Sequence, residues 1–182
     1  MKKNVIVIAV MLVLVGFAVY QNVGKAEKEV QLPVEYAPKL DFLAPEFKLQ
    51  SFDGQEYRVG GKRDKPLWIN FWASWCEPCQ AEAPDMKRLY DEYKDKLDIY
   101  AVNATLYDDV DKARDFIKQY GFKFPALLDV TGGEKGKVQK LYNVQAYPTS
   151  FLIDKDGVIR EIIYGIKPPK ELERTIKNFV EA

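Results

Sequence analysis

The stretch NFWASWCEPCQAEAP, Asn70 to Pro84, contains both cysteines of the 182-residue chain, Cys76 and Cys79. Immediately upstream, Leu67 to Trp72 is an apolar run broken only by Asn70, a pattern that suits a strand buried on both faces. Downstream, Met86, Leu89, Tyr90, Tyr93 and Leu97 recur at helical spacing and mark one face of a helix. The cysteines therefore stand at a strand-to-helix junction. Cys76 falls at the helix N-terminus, where unpaired backbone N–H groups and the positive end of the helix dipole favour a thiolate. Cys79 lies one turn in and points towards the core face. The pattern predicts an exposed attacking sulfur and a shielded resolving one, exchanging with a client through a mixed disulfide on Cys76. Pro78 fits the first helical turn, where a missing N–H costs little.

Other uses of two thiols are weaker. A purely structural disulfide would close a loop of only a few residues and add little stability. A structural zinc site needs about four nitrogen or sulfur ligands, and two cysteines in a chain with 0 histidines cannot supply them. Inert buried thiols would tend to oxidise outside the cytoplasm. The missing histidine also removes Ser-His-Asp and Cys-His chemistry. No metal and no cofactor is expected.

Glu82 follows Cys79 by three residues and precedes Met86 by four, so it shares the core face. A carboxyl group buried beneath the disulfide has its pKa raised and can exchange a proton near neutral pH. Glu82 is thus placed to take the proton of the resolving thiol; the plainer reading is an edge carboxylate satisfying helix amides. Glu77, between the cysteines, is expected to be exposed, and its charge opposes an extremely low Cys76 pKa and hence a strong oxidant.

Beyond this stretch, Lys plus Arg and Asp plus Glu both number 27, with 47% hydrophobic residues. The core can be sizeable, and nothing suggests a nucleic-acid surface, which would show clustered positive charge. At the N-terminus Lys2-Lys3 precedes sixteen uncharged, mostly aliphatic residues, Val5 to Tyr20. As a helix these span about 24 Å, slightly short of the roughly 30 Å hydrocarbon core. Residues 1–22 are read as an uncleaved membrane signal-anchor, with a cleaved signal peptide as the alternative and a buried core helix as the weakest option. Residues 23–40 are read as a polar tether and 41–182 as the domain. The positive-inside rule then places the domain outside the cell membrane as a single-pass protein.

Within the domain, Asp53-Gly54 and Asp156-Gly157 are turn signals between strand-like runs. Ile99 to Val102 and FPALLD read as strands. Ala113, Phe116, Ile117 and Tyr120 form a second helical face, opened by Asp108 or Asp109 and stopped by Gly121. A short helix is expected within EKGKVQKLYNV, strands over Ser150–Ile153 and Val158–Ile163, and a closing helix through Leu172, Ile176, Phe179 and Val180. Such alternation ending in a hairpin predicts an α/β mixed central sheet flanked by helices. Asn103-Ala104-Thr105 matches a glycosylation sequon but sits at a predicted strand end and is read as chance.

FWASWCEPC, with Pro84 eight residues after Cys76, resembles the thioredoxin superfamily, as does AYPTSFLIDKDGVI. The resemblance implies a thioredoxin fold with an N-terminal β-hairpin and an inserted βα element. It also implies a cis bond at Tyr147-Pro148 beside the cysteines, leaving the Tyr147 backbone free to pair with an extended substrate. Trp75, Glu77, Pro78, Tyr147 and Pro148 become substrate-binding candidates beside Cys76, Cys79 and Glu82, with Trp75 packed over the cysteines. Asn70 stands where cytosolic thioredoxins usually carry a buried Asp, whose role Glu82 could assume. APEFKLQSFDG, Cys-Glu-Pro-Cys with Glu82, and the N-terminal anchor are similar to the membrane-attached TlpA/ResA-like thiol–disulfide oxidoreductases. That family implies a reductant of protein disulfides recharged by a membrane donor of the CcdA/DsbD type. Its clients would be apocytochrome c thiols or envelope proteins, including cell-wall or spore-coat assembly factors.

Three alternatives remain. A peroxiredoxin shares the fold, but its Pro and Thr or Ser, seven and three residues before the reactive cysteine, are here Ile69 and Ala73. A dithiol oxidase or isomerase uses the same fold with electrons flowing differently. A tethered binding module would hold a client without turnover.

Overall fold

The computed structural model describes residues 11–17, 33 and 35–181. Residues 11–17 are helical, and most of the segment read as an anchor lies outside the described residues. Among the described residues no helix is long and apolar enough to cross a membrane.

The folded unit contains strands β1 (Phe47–Ser51), β2 (Glu56–Val59), β3 (Leu67–Trp72), β4 (Asp98–Asn103), β5 (Ala126–Leu128), β6 (Val130–Thr131), β7 (Glu134–Lys135), β8 (Thr149–Ile153) and β9 (Ile159–Tyr164). Its helices are α1 (Glu77–Tyr93), α2 (Val110–Tyr120), α3 (Lys137–Leu141) and α4 (Pro169–Glu181). Seven strands form one mixed sheet in the order β2-β1-β5-β4-β3-β8-β9, and β6 with β7 makes a separate two-residue hairpin that the sequence reading omitted. β3 runs parallel to β4 and antiparallel to β8. All six of its residues are buried, as a run that is apolar except at Asn70 suits in a central strand.

Side chains alternate across β3 and feed two cores. Trp68 and Trp72 join the cluster that contains Cys76, Cys79, Met86, Leu89 and the α2 residue Phe116. Leu67, Ile69 and Phe71 join the other, with Tyr142, Val102 and Phe151. α2 opens on Asp109, whose side chain accepts from the Asp111 and Lys112 amides. It closes on Gly121 at φ 62°, a left-handed cap that glycine adopts without Cβ strain. α1 stops at Tyr93, earlier than its apolar spacing suggested. Leu97 is still buried, but in the turn beyond the helix, its amide donating to the Tyr93 carbonyl at 2.8 Å.

The Leu43 amide donates to Glu35, and the Asp41 and Ala44 amides donate to Ile159 and Gly157. The bonds from Asp41 and Ala44 hold the chain ahead of β1 against the β8–β9 hairpin.

Candidate active site

The site lies where β3 passes into α1. Cys76 is the N-cap of α1, with extended backbone, and its sulfur accepts from the Cys79 amide at 3.2 Å. Pro78 occupies the first turn, and Glu77 beside it is exposed. The two cysteines are joined in a disulfide with their Cα atoms 5.2 Å apart. The expected difference in exposure is absent from this oxidised form, because each cysteine is only 4% exposed. The disulfide draws the Cys76 sulfur over the first helical turn and into the core cluster. What separates the two is the helix end: the Cys76 sulfur caps a first-turn amide of α1, whereas Cys79 lies inside the helix.

Glu82 is 2% exposed, one turn behind Cys79 on the same buried stripe of α1. Among the described residues its side-chain partner is Asn70, whose Nδ2 donates to Oε2 at 2.9 Å. Asn70 Nδ2 also reaches Ser150 Oγ at 3.0 Å, and that hydroxyl accepts from Trp68 Nε1 at 2.7 Å. Burial raises the Glu82 carboxyl to about 7, partly offset by the Asn70 hydrogen bond and aided by the charge of Asp85. Asn70 thus occupies the strand position that the resemblance marks, with Glu82 as its carboxylate partner.

The Tyr147–Pro148 bond is cis, and Pro148 is buried. The Gly165 amide donates to the Pro148 carbonyl at 2.8 Å, while the Tyr147 backbone has no backbone partner among the described residues. The Tyr147 ring is half-buried and packs against both cores, its hydroxyl donating to Gln139 Oε1 at 2.5 Å. Burial pushes its phenol well above the ordinary range. Trp75, expected over the cysteines, is 57% exposed. Its indole N–H donates to the Tyr107 carbonyl at 2.9 Å and its ring meets Tyr147 edge-on. Tyr147 is one of several aromatics packed against the core cluster that includes the cysteines.

Sequence reasoning missed the loop from β4 into α2. Asp108 accepts from the Ser74 amide and hydroxyl, and Asn103 Nδ2 donates to the same carboxylate. That bond, with Asn103 fully buried, agrees with reading its sequon as chance. Two adjacent aspartates at a helix start that needs one cap were the available signal.

A mixed sheet flanked by helices, with a two-cysteine helix start facing a cis-proline loop, defines a thioredoxin-like redox protein. The chain belongs to the AhpC/TSA family, whose profile matches residues 42–162, and within it to the ResA-type thiol–disulfide oxidoreductases. It is 36% identical to the thiol-disulfide oxidoreductase ResA of Bacillus thuringiensis subsp. konkukian over 98% of each chain. It is 35% identical to the thioredoxin-like protein YneN of Bacillus subtilis over 88% of each. The structure of a putative thiol:disulfide interchange protein DsbE from Chlorobium tepidum superposes with TM-score 0.66 at 31% identity, covering 76% of this chain and 95% of that one. StoA from Bacillus subtilis gives TM-score 0.61 at 29% identity, covering 71% and 95%. The protein is a thiol–disulfide oxidoreductase with Cys76 and Cys79 as its CxxC pair.

Proposed function

We propose that the protein reduces disulfides of client proteins outside the cell membrane, with Cys76 attacking, Cys79 resolving and Glu82 moving the proton. The observation that carries this reading is a buried carboxyl near 7, one turn behind Cys79 and held by a single side-chain donor. In the reduced protein, the Cys76 thiolate attacks one sulfur of a client disulfide. A mixed disulfide forms and the other client sulfur leaves as a thiolate. Glu82 then takes the Cys79 proton, and the new thiolate attacks the Cys76 sulfur. The second client thiolate departs, two electrons have passed to the client, and the Cys76–Cys79 disulfide remains.

Exposed Trp75, Tyr107 and Tyr164 at the same end of the sheet, beside the unpaired Tyr147 backbone, suit a polypeptide client. Pro78 and Pro148 shape the approach on either side of the cysteines. The apolar N-terminal segment, residues 1–22, supports membrane anchoring, with a CcdA/DsbD-type dithiol returning the electrons. Apocytochrome c thiols and envelope or spore assembly proteins are the client classes that the resemblance of the CxxC motif and its flanks implies. The peroxidase alternative lacks its polar groups, since Ile69 and Ala73 are apolar and fully buried.

The test is capture by the full-length Cys79→Ser variant in membranes, followed by labelling of intact cells with an impermeant thiol reagent. Mixed disulfides on Cys76 with proteins carrying CxxC pairs, on a domain labelled from outside, are expected. Labelling only after lysis would refute the location, and peroxide consumption without capture would refute the reductase reading.

A further inference from the structure

The turn that carries Cys76 is held from outside its own strand and helix. Asp108 accepts four hydrogen bonds: from the Ser74 amide at 2.6 Å and hydroxyl at 2.5 Å, from Asn103 Nδ2 at 2.7 Å and from the Asp109 amide at 2.9 Å. Asp109 alone caps α2, so Asp108 is not needed for that purpose. The remaining polar atom of Ser74, its carbonyl, accepts from Gln80 Nε2 at 2.9 Å. Next in the chain, the Trp75 indole is tied to the Tyr107 carbonyl. The frame behind Asp108 is rigid: Asn103 is fully buried and paired in register with Trp72.

We infer that Asp108 is a positioning residue that, through Ser74, fixes the turn presenting Cys76 at the N-terminus of α1. The inference rests on the redox role of the Cys76–Cys79 pair. Hydrogen bonds to a carboxylate are stronger than neutral ones, so this grip outweighs the neutral bonds on the turn, among them the turn's own backbone closure, the 3.2 Å bond from the Cys76 amide to the Ala73 carbonyl. Loosening the turn lowers the effective concentration of one sulfur at the other and makes the disulfide easier to reduce. Removing a negative charge two residues from Cys76 in the contact chain favours its thiolate, which also favours the reduced form. Both effects have the same sign.

The experiment is a glutathione titration of the whole chain in detergent, with thiol trapping of Cys76 and Cys79 and a thermal unfolding curve for each variant. Asp108→Asn sets an amide donor against the Ser74 and Asn103 donors. It is expected to shift the equilibrium about tenfold towards the dithiol, or about 30 mV upwards. Ser74→Ala is expected to give a smaller shift in the same direction, and Ser74→Thr, which keeps the hydroxyl, to restore the wild-type value. Should Asp108→Asn fail to fold, the Ser74 pair carries the test alone. Wild-type equilibria in every variant overturn the inference. So does a shift in Asp108→Asn with Ser74→Ala silent, which means charge acting through space, or an identical shift in both Ser74 variants, which means general disturbance. A wild-type protein that exchanges with no thiol buffer fails on the redox reading instead.

Discussion

Among the described residues two carboxyl side chains are buried, and they are held differently. Asp129, between β5 and α3, is fully buried, with its two oxygens accepting from the Val138 and Gln139 amides at 2.9 and 2.8 Å. Its own amide donates to Thr105 Oγ1 at 2.9 Å. Glu82 is equally out of water but has Asn70 as its one side-chain donor. Burial raises both groups, against backbone amides in Asp129 and against one side-chain amide in Glu82, which reaches about 7. A carboxylate fixed by two peptide amides joins two elements. One held by a single side chain beside a redox pair is the one to which the proposed mechanism gives the proton transfer.

The largest expected effect lies on the Glu82 side. Cys79→Ser removes the thiol whose proton Glu82 would receive, and turnover with a protein disulfide should be abolished while a mixed disulfide accumulates on Cys76. Glu82→Gln should slow turnover by about a hundredfold and flatten its pH dependence between 6 and 8, as stopped-flow measurement would show. Equal rates for mutant and wild type across that range would erase the distinction between the two carboxyls.

Stability gives the next effect, with a definite sign. The folded pKa of Glu82 is raised from 4.5 to about 7, so the protonated form is favoured in the folded state. Its contribution is fully present below the unfolded pKa and is lost as pH rises through the folded one. Over that window the loss is about 3 kcal/mol. Denaturant unfolding should therefore show wild type weakening from pH 4.5 to pH 8 by more than Glu82→Gln. Asp129→Ala should cost about 2 kcal/mol by stranding two buried amides, yet leave the pH midpoint of turnover unmoved. The smallest effect is expected from Asn70→Ala. Loss of the one donor should move the midpoint of turnover to higher pH, and a move to lower pH would contradict the role given to that bond.

The sequence reading reached Glu82 because helical spacing alone puts positions 79, 82, 83, 86 and 89 on one stripe, and these are the buried residues of α1. The run Leu67–Trp72 likewise showed a central strand, since a strand covered on both faces has no solvent side to call for alternating polar residues. Asp129 escaped notice because its partners lie nine and ten residues away, across the short β6–β7 hairpin. The Asp108 grip on Ser74 spans 34 residues, and no local period reports such a contact. The exposure of Cys76 was misjudged for a related reason. Spacing places a residue on a face, but disulfide formation and packing around it determine how much water it meets.

The most direct test of the central claim is the reduction potential of the wild-type Cys76–Cys79 pair, measured against glutathione and dithiothreitol buffers with thiol trapping. A reductant recharged by a membrane donor requires a value at or below about −250 mV, towards that of thioredoxin. A value near about −120 mV, where strong oxidants lie, would reverse the direction of electron flow and make the protein an oxidase.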